Sequence, residues 1–203
     1  HEAVATPIGL INSAVGGSPI NCWIDRRVLE EDADFRPILD RYDSARAHVR
    51  AALSEYELGK AKAQLHNIPL TLAKPNDPQQ GKGVPGGLFN AMVAPYIPFA
   101  IRGVIWYQGE SNVLRAYQYR KLFAAMIDDW RNRWGQGDFP FLFMQLPNYD
   151  QSGEQHRDCW PELRDAQQAV LASAHTAMAV TIDIGDSRNI HPSNKKQFAD
   201  RLA

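Results

Sequence analysis

Four short apolar runs punctuate the chain, at residues 7–12, 101–107, 139–146 and 176–183. Each reads as a short β-strand, and the run 101–107 predicts a strand buried on both faces. Helical spacing follows each of the last three. The first such stretch, 117–134, places Leu122, Met126, Ile127 and Trp130 on one face. The second covers 160–174, and the third starts near Ser193. Strands alternating with helices predict an α/β fold built on a parallel sheet. Between the first two runs, residues 29–72 are charged and Ala-rich, with helical spacing at 45–66. This stretch reads as a helical insertion with a solvated face. A connector rich in Pro, Gly, Asn and Gln follows at 74–87.

Composition narrows the picture only a little. The chain has 203 residues, 44% of them hydrophobic, and a formal net charge of −1. That is enough for one sizeable core, and it is not the charge balance of a nucleic-acid or membrane-surface protein. No window approaches the roughly 18 apolar residues of a membrane span, and the first ten residues lack the charged and apolar regions of a secretion signal. The chain has no initiator Met, and its end, 194–203, reads as a helix cut off after about two turns. It is expected to be a piece of a longer protein. Cys22 and Cys159 are too few for a disulfide framework or a zinc site and read as two buried thiols, which leaves the compartment open.

Chemistry-bearing residues gather where the predicted strands end. The first ends in Asn12 and Ser13, then Gly16, Gly17 and Ser18. The second ends in Gln108, Gly109, Glu110, Ser111 and Asn112, the third in Gln145, Asn148 and Tyr149, and the fourth in Asp183, Asp186, Asn189 and His191. In a parallel sheet all carboxyl ends point the same way, so four clusters on one edge predict a single crevice. Trp23, Trp106, Tyr107, Tyr149 and Trp160 are either sugar-stacking platforms or core. Arg164 and Gln167, one helical turn apart, read as solvated.

The segments GLINSAVGGSPINCW (9–23), GGLFNAMVAPYIPFAIRGVIWYQGESN (86–112), WRNRWGQGDFPFLFMQLPNY (130–149) and DIGDSRNIHPSNKKQFADRLA (183–203) together resemble the sialate O-acetylesterase family of SGNH hydrolases. The resemblance implies an α/β/α sandwich with a five-stranded parallel sheet. The implied activity is hydrolysis of O-acetyl esters on sugars by a serine–histidine–acid mechanism, with no metal or organic cofactor. The compartments compatible with it are secreted, periplasmic or lysosome-like.

Ester hydrolysis needs a nucleophile, a base, an acid that orients the base, and donors for the developing oxyanion. His191 falls where the resembling family places its base, with Pro192 and Lys195 matching the pattern around it. Many SGNH enzymes carry an Asp three residues before that His. Here Arg188 stands at that position, so Asp186 and Asp183 are the remaining choices, and Asp186 is favoured for its reach within the loop. Gly16 and Gly17 suit backbone oxyanion donors, because glycine permits positive φ and close approach. Gln108 or Asn112 can add a side-chain amide. The resemblance favours Gln108, with Glu110 orienting Gln108, His191 or a substrate hydroxyl. Asn90, in the GGLFNAMV segment, is a further inward polar candidate.

The nucleophile itself is absent. Relatives carry it in a GQSN-like motif at the end of a central strand, and these 203 residues contain no such motif. Ser13 belongs to the segment that resembles the oxyanion loop, and nothing sets Ser18 or Ser111 opposite a base. In the family's strand order the absent strand lies between this chain's first and second. A companion polypeptide is therefore expected to complete the sheet and bring the serine. The alternative is a catalytically inactive, sugar-binding member that keeps the crevice.

Overall fold

The computed structural model describes residues 6–76, 82–150 and 158–202. Part of the predicted connector, at 77–81, lies outside the described residues. Among the described residues the chain forms α1 (Arg26–Glu31), α2 (Arg36–His66), β1 (Val104–Trp106), α3 (Ala116–Trp134), β2 (Phe141–Met144), α4 (Cys159–Ala169), β3 (Thr176–Ala179) and α5 (Lys195–Leu202). The strands pair in parallel in the order β1-β2-β3, with Val104 opposite Phe141 and Phe141 opposite Thr176. Three of the four predicted strands are thus present in shortened form, each followed by its helix.

Apolar spacing explains α3. Leu122, Phe123, Met126, Ile127 and Trp130 recur at three- and four-residue intervals and are all buried. They meet the face of the sheet that carries Trp106, Phe141 and Phe143. Phe123 packs edge-on to Phe143 at 5.0 Å, and Trp130 edge-on to Trp106 at 6.0 Å. Such edge-to-face contacts orient the rings beyond what burial alone requires. Gly135 stops the helix in the left-handed conformation, φ 65°, and its N–H returns to Arg131 O at 3.0 Å.

The loop before α1 is tied to α3 by charge. Arg133 donates to Asp129 Oδ1 at 2.6 Å, lies 2.8 Å from Asp25 Oδ2, and sits over the Phe89 ring at 5.1 Å. Burial pushes the Asp129 carboxyl up, against the pull of Arg133. Burial also opposes ionisation of Asp25, yet the hydrogen bonds from Arg27 and the charge of Arg133 together hold it below its usual range.

Two expectations fail here. Residues 7–12 do not form a strand: they have no regular structure, and Ile8, Leu10 and Ile11 are 63%, 87% and 44% exposed. A strand needs a neighbouring ladder to satisfy its backbone, and among the described residues none lies beside this segment. Nor is the run 101–107 buried on both faces. Ile105 is 65% exposed, because α3 covers the opposite face, and on this face the described cover is α5, whose Phe198 reaches Tyr107 but leaves Ile105 open. The stretch 29–72 divides. Leu29, Phe35, Ile38 and Leu39 enter the core, whereas Leu58 and Leu65 further along α2 are exposed.

Candidate functional site

The carboxyl end of β1 is stitched to the glycine-bearing loop by two amide side chains. Asn112 Oδ1 accepts from Ile20 N at 2.9 Å and from Gln108 Nε2 at 2.8 Å, and Gln108 Nε2 also donates to Ser18 O at 3.1 Å. The Ile20 N–H and the Ser18 carbonyl fix which end of each amide is oxygen. Asn112 is only 2% exposed, in the 3₁₀ turn Glu110–Arg115. Both protons of the Gln108 amide are engaged, which leaves that side chain no free donor, and its Oε1 is buried without a partner. Asn112 is in the opposite condition. Its Oδ1 is held by two donors, and its Nδ2 has no acceptor among the described residues. The amide preferred from the sequence is therefore a staple, and the other carries the free N–H.

Gly16 and Gly17 lie exposed in the loop so held. Gly17 has φ 68°, where a side chain would be strained, and Lys82 Nζ donates to Gly16 O at 2.5 Å. Ser13 donates to Met92 O at 2.8 Å, and Ser18 accepts from Trp23 Nε1 at 2.9 Å. Both hydroxyls serve structure. Asn90 sits in the π-turn Phe89–Val93 with its side chain exposed, not inward.

Gln167 is the residue the sequence reading misplaced. It is fully buried rather than solvated. Its Nε2 donates to Gln108 O and Met144 O, both at 3.2 Å, and its Oε1 accepts from Leu146 N at 2.8 Å. One side chain thus fastens the ends of β1 and β2 to α4. The sign was available in the sequence: Gln167 continues the apolar line of Trp160 and Leu163 at helical intervals. Beside it the backbone passes too closely for a side chain at Gly109, where an added Cβ would lie 2.8 Å from Leu163 Cδ2.

The third and fourth clusters also meet. Asp150 N donates to Ser187 O at 2.8 Å, and Gly185 packs directly on Asn148. Thr181 Oγ1 bonds Gln145 O. Asp183 is exposed and bound by both nitrogens of the Arg201 fork, which holds its carboxyl down at about 2. Arg201 also reaches Val180 O at 2.7 Å. Asp183 is therefore a clamp between the β3 end and α5. Asp186 Oδ1 accepts from Arg188 N at 2.9 Å, and His191 N donates to Asn189 Oδ1 at 2.9 Å. Among the described residues no carboxylate is hydrogen-bonded to the exposed His191 imidazole. The helix after His191 packs on the residue before Gln108. Phe198 stacks on Tyr107 at 5.7 Å, and Lys195 Nζ lies 5.2 Å from the Tyr107 ring centre. Burial and the charge of Glu110 raise the Tyr107 hydroxyl pKa, and Glu110 forms no hydrogen bond to Gln108 or His191. Of the aromatic candidates, Trp23, Trp106 and Trp160 are core, while Tyr107 and Tyr149 are partly buried.

A parallel sheet with helices after each strand and its polar residues at the carboxyl edge defines the class. The structure is similar to a carbohydrate acetylesterase from Xanthomonas citri, with a TM-score of 0.72 and 32% identity over 100% of this chain and 36% of that one. The fold is that of the SGNH hydrolases. The family model described as carbohydrate esterase, sialic acid-specific acetylesterase, matches residues 86–203. Sialate O-acetylesterase from Rattus norvegicus is 30% identical over all of this chain and 39% of its own length; the Homo sapiens protein is 29% identical over all of this chain and 35% of its own. The chain belongs to the sialic acid-specific acetylesterase family of carbohydrate esterases. It spans between 35% and 39% of the length of these relatives.

Proposed function

We propose that this chain is the base-bearing portion of a serine O-acetylesterase that removes acetyl groups from sialic acids and related sugars. The nucleophilic serine comes from a segment outside these 203 residues. The observation that carries the reading is the joining of Asn112 to Ile20 and, through Gln108, to Ser18, which ties the carboxyl end of β1 to the loop that carries Gly16 and Gly17. His191 takes the proton of the serine as it attacks the acetyl carbonyl. The Gly16 and Gly17 amides and Asn112 Nδ2 receive the oxyanion, with Gln108 fixing Asn112. His191 then protonates the departing sugar oxygen, and water releases acetate from the acyl-serine by the same route in reverse.

Asp186 is assigned to orient His191. Its Oδ1 presently serves the Arg188 N–H, so the other carboxylate oxygen is the one offered to the imidazole. The companion segment supplies a strand beside β1. The outer edge of β1, unpaired among the described residues, and the unpaired apolar segment at 7–12 support it, since an open strand edge leaves a row of backbone donors and acceptors for a neighbour.

Acetate release from 9-O-acetyl-N-acetylneuraminic acid by the full-length protein tests the reading. His191→Ala is expected to lower kcat by about 10³-fold or more. Equal turnover by wild type and His191→Ala would contradict it.

A further inference from the structure

Helix α2 carries two apolar stripes, and its own chain covers one of them. Val49, Ala52, Tyr56, Gly59 and Ala63 form the covered stripe, each half-buried or buried. Asn67, left-handed at φ 50°, turns the chain back after the helix. Ile68 N then donates to Ala63 O at 3.0 Å, and Leu72 packs so closely on Gly59 that an added Cβ would lie 2.6 Å from its Cδ1. The other stripe is Ala51, Glu55, Leu58, Lys62 and Leu65, all exposed, with Leu58 at 58% and Leu65 at 79%. Their alternating four- and three-residue intervals are those of a coiled-coil seam. On the helix wheel this seam lies nearly opposite the covered stripe, so the returning segment cannot reach it.

The two charges within the seam identify what pairs with it. In a parallel, in-register pair of such helices each seam residue faces its own copy, which sets Glu55 against Glu55 and Lys62 against Lys62. Turned antiparallel about an axis between Leu58 and Gly59, the same face complements itself. Glu55 of each copy then lies level with Lys62 of the other, Leu58 packs on Leu58 at the axis, and each Leu65 lies over the small side chains of Ala51 and Ala52. Polar seam residues fix register and orientation in this way, and like charges set face to face reject the alternative. A twofold axis through one face is also the geometry that lets two identical surfaces close on each other.

We infer that α2 is a dimerisation arm, through which two copies of this chain pair antiparallel with the axis at Leu58. The seam from Ala51 to Leu65 is roughly 20 Å long, so the contact is of the small class that forms reversibly at micromolar concentration. The pairing does not depend on the esterase reading.

Sedimentation of the full-length protein tests it. Wild type is expected to pass from monomer to dimer between about 1 and 100 µM. Leu58→Glu sets two carboxylates on the axis and should raise the dissociation constant by at least about 10-fold. Glu55→Lys and Lys62→Glu should each weaken the dimer by roughly 3- to 10-fold, and the two together should restore it, because the pairs re-form with their signs exchanged. All three positions are exposed, so helical circular dichroism is expected to be unchanged in every variant. A wild type still monomeric at about 100 µM would overturn the inference and leave the face to the companion segment. Dimerisation untouched by Leu58→Glu would overturn it by placing the interface elsewhere. A double reversal no better than either single change would overturn the antiparallel pairing.

Discussion

Asn112 and Gln108 show how much one atom's bonding changes a residue's role. Both are amides at the end of β1, and composition cannot separate them. Gln108 spends both protons on Ser18 and Asn112, while Asn112 keeps an N–H free because its oxygen is pinned by Ile20. Removal of an oxyanion donor commonly lowers kcat about 10²- to 10³-fold with little effect on KM. Asn112→Ala is expected to do so for acetate release in the full-length protein, and a change confined to KM would assign it to substrate binding instead. The presence of both residues was legible from their place after an apolar run. Their division of labour was not, since it depends on a loop some 90 residues away in sequence.

At the level of elements, α5 is held by two unlike contacts. One is aromatic, with Phe198 on Tyr107 and Lys195 beside them; the other is the Asp183–Arg201 fork. The fork depresses the Asp183 carboxyl to about 2, so its contribution is present above the unfolded carboxylate range near pH 4 and is lost as pH falls toward 2. Thermal melts should therefore show Asp183→Asn less stable than wild type at neutral pH, with the gap closing between about pH 4 and about pH 2. A gap that persists unchanged below that range would mean the ion pair is not what holds α5. Helix α3 was read from the sequence almost to the residue, because its apolar spacing is regular and Gly135 ends it. The strand at 7–12 was misread for the converse reason. Apolar character gives a segment the tendency to be buried, but pairing comes from a neighbour, and none lies beside it among the described residues.

For the whole molecule, the sheet is covered well on the face of Trp106, Phe141 and Phe143 and thinly on the face of Ile105. The parallel pairing and the polar carboxyl edge were legible, since alternation of strand and helix dictates both; the strand order came only with the family resemblance. Gln167 was not, because a buried amide that serves three backbone groups looks like any polar residue of a helix until the strands it fastens are in place. The account's central claim is that the fold is completed by a serine-bearing segment acting with His191. The direct measurement is to label the full-length protein with a fluorophosphonate and sequence the modified peptide by mass spectrometry. The account predicts one labelled serine, in a GQSN-like peptide outside these 203 residues, with labelling lost in His191→Ala. Labelling of Ser13, or no labelling at all, would contradict it, pointing to a rearranged nucleophile in the first case and to a non-catalytic sugar-binding member in the second.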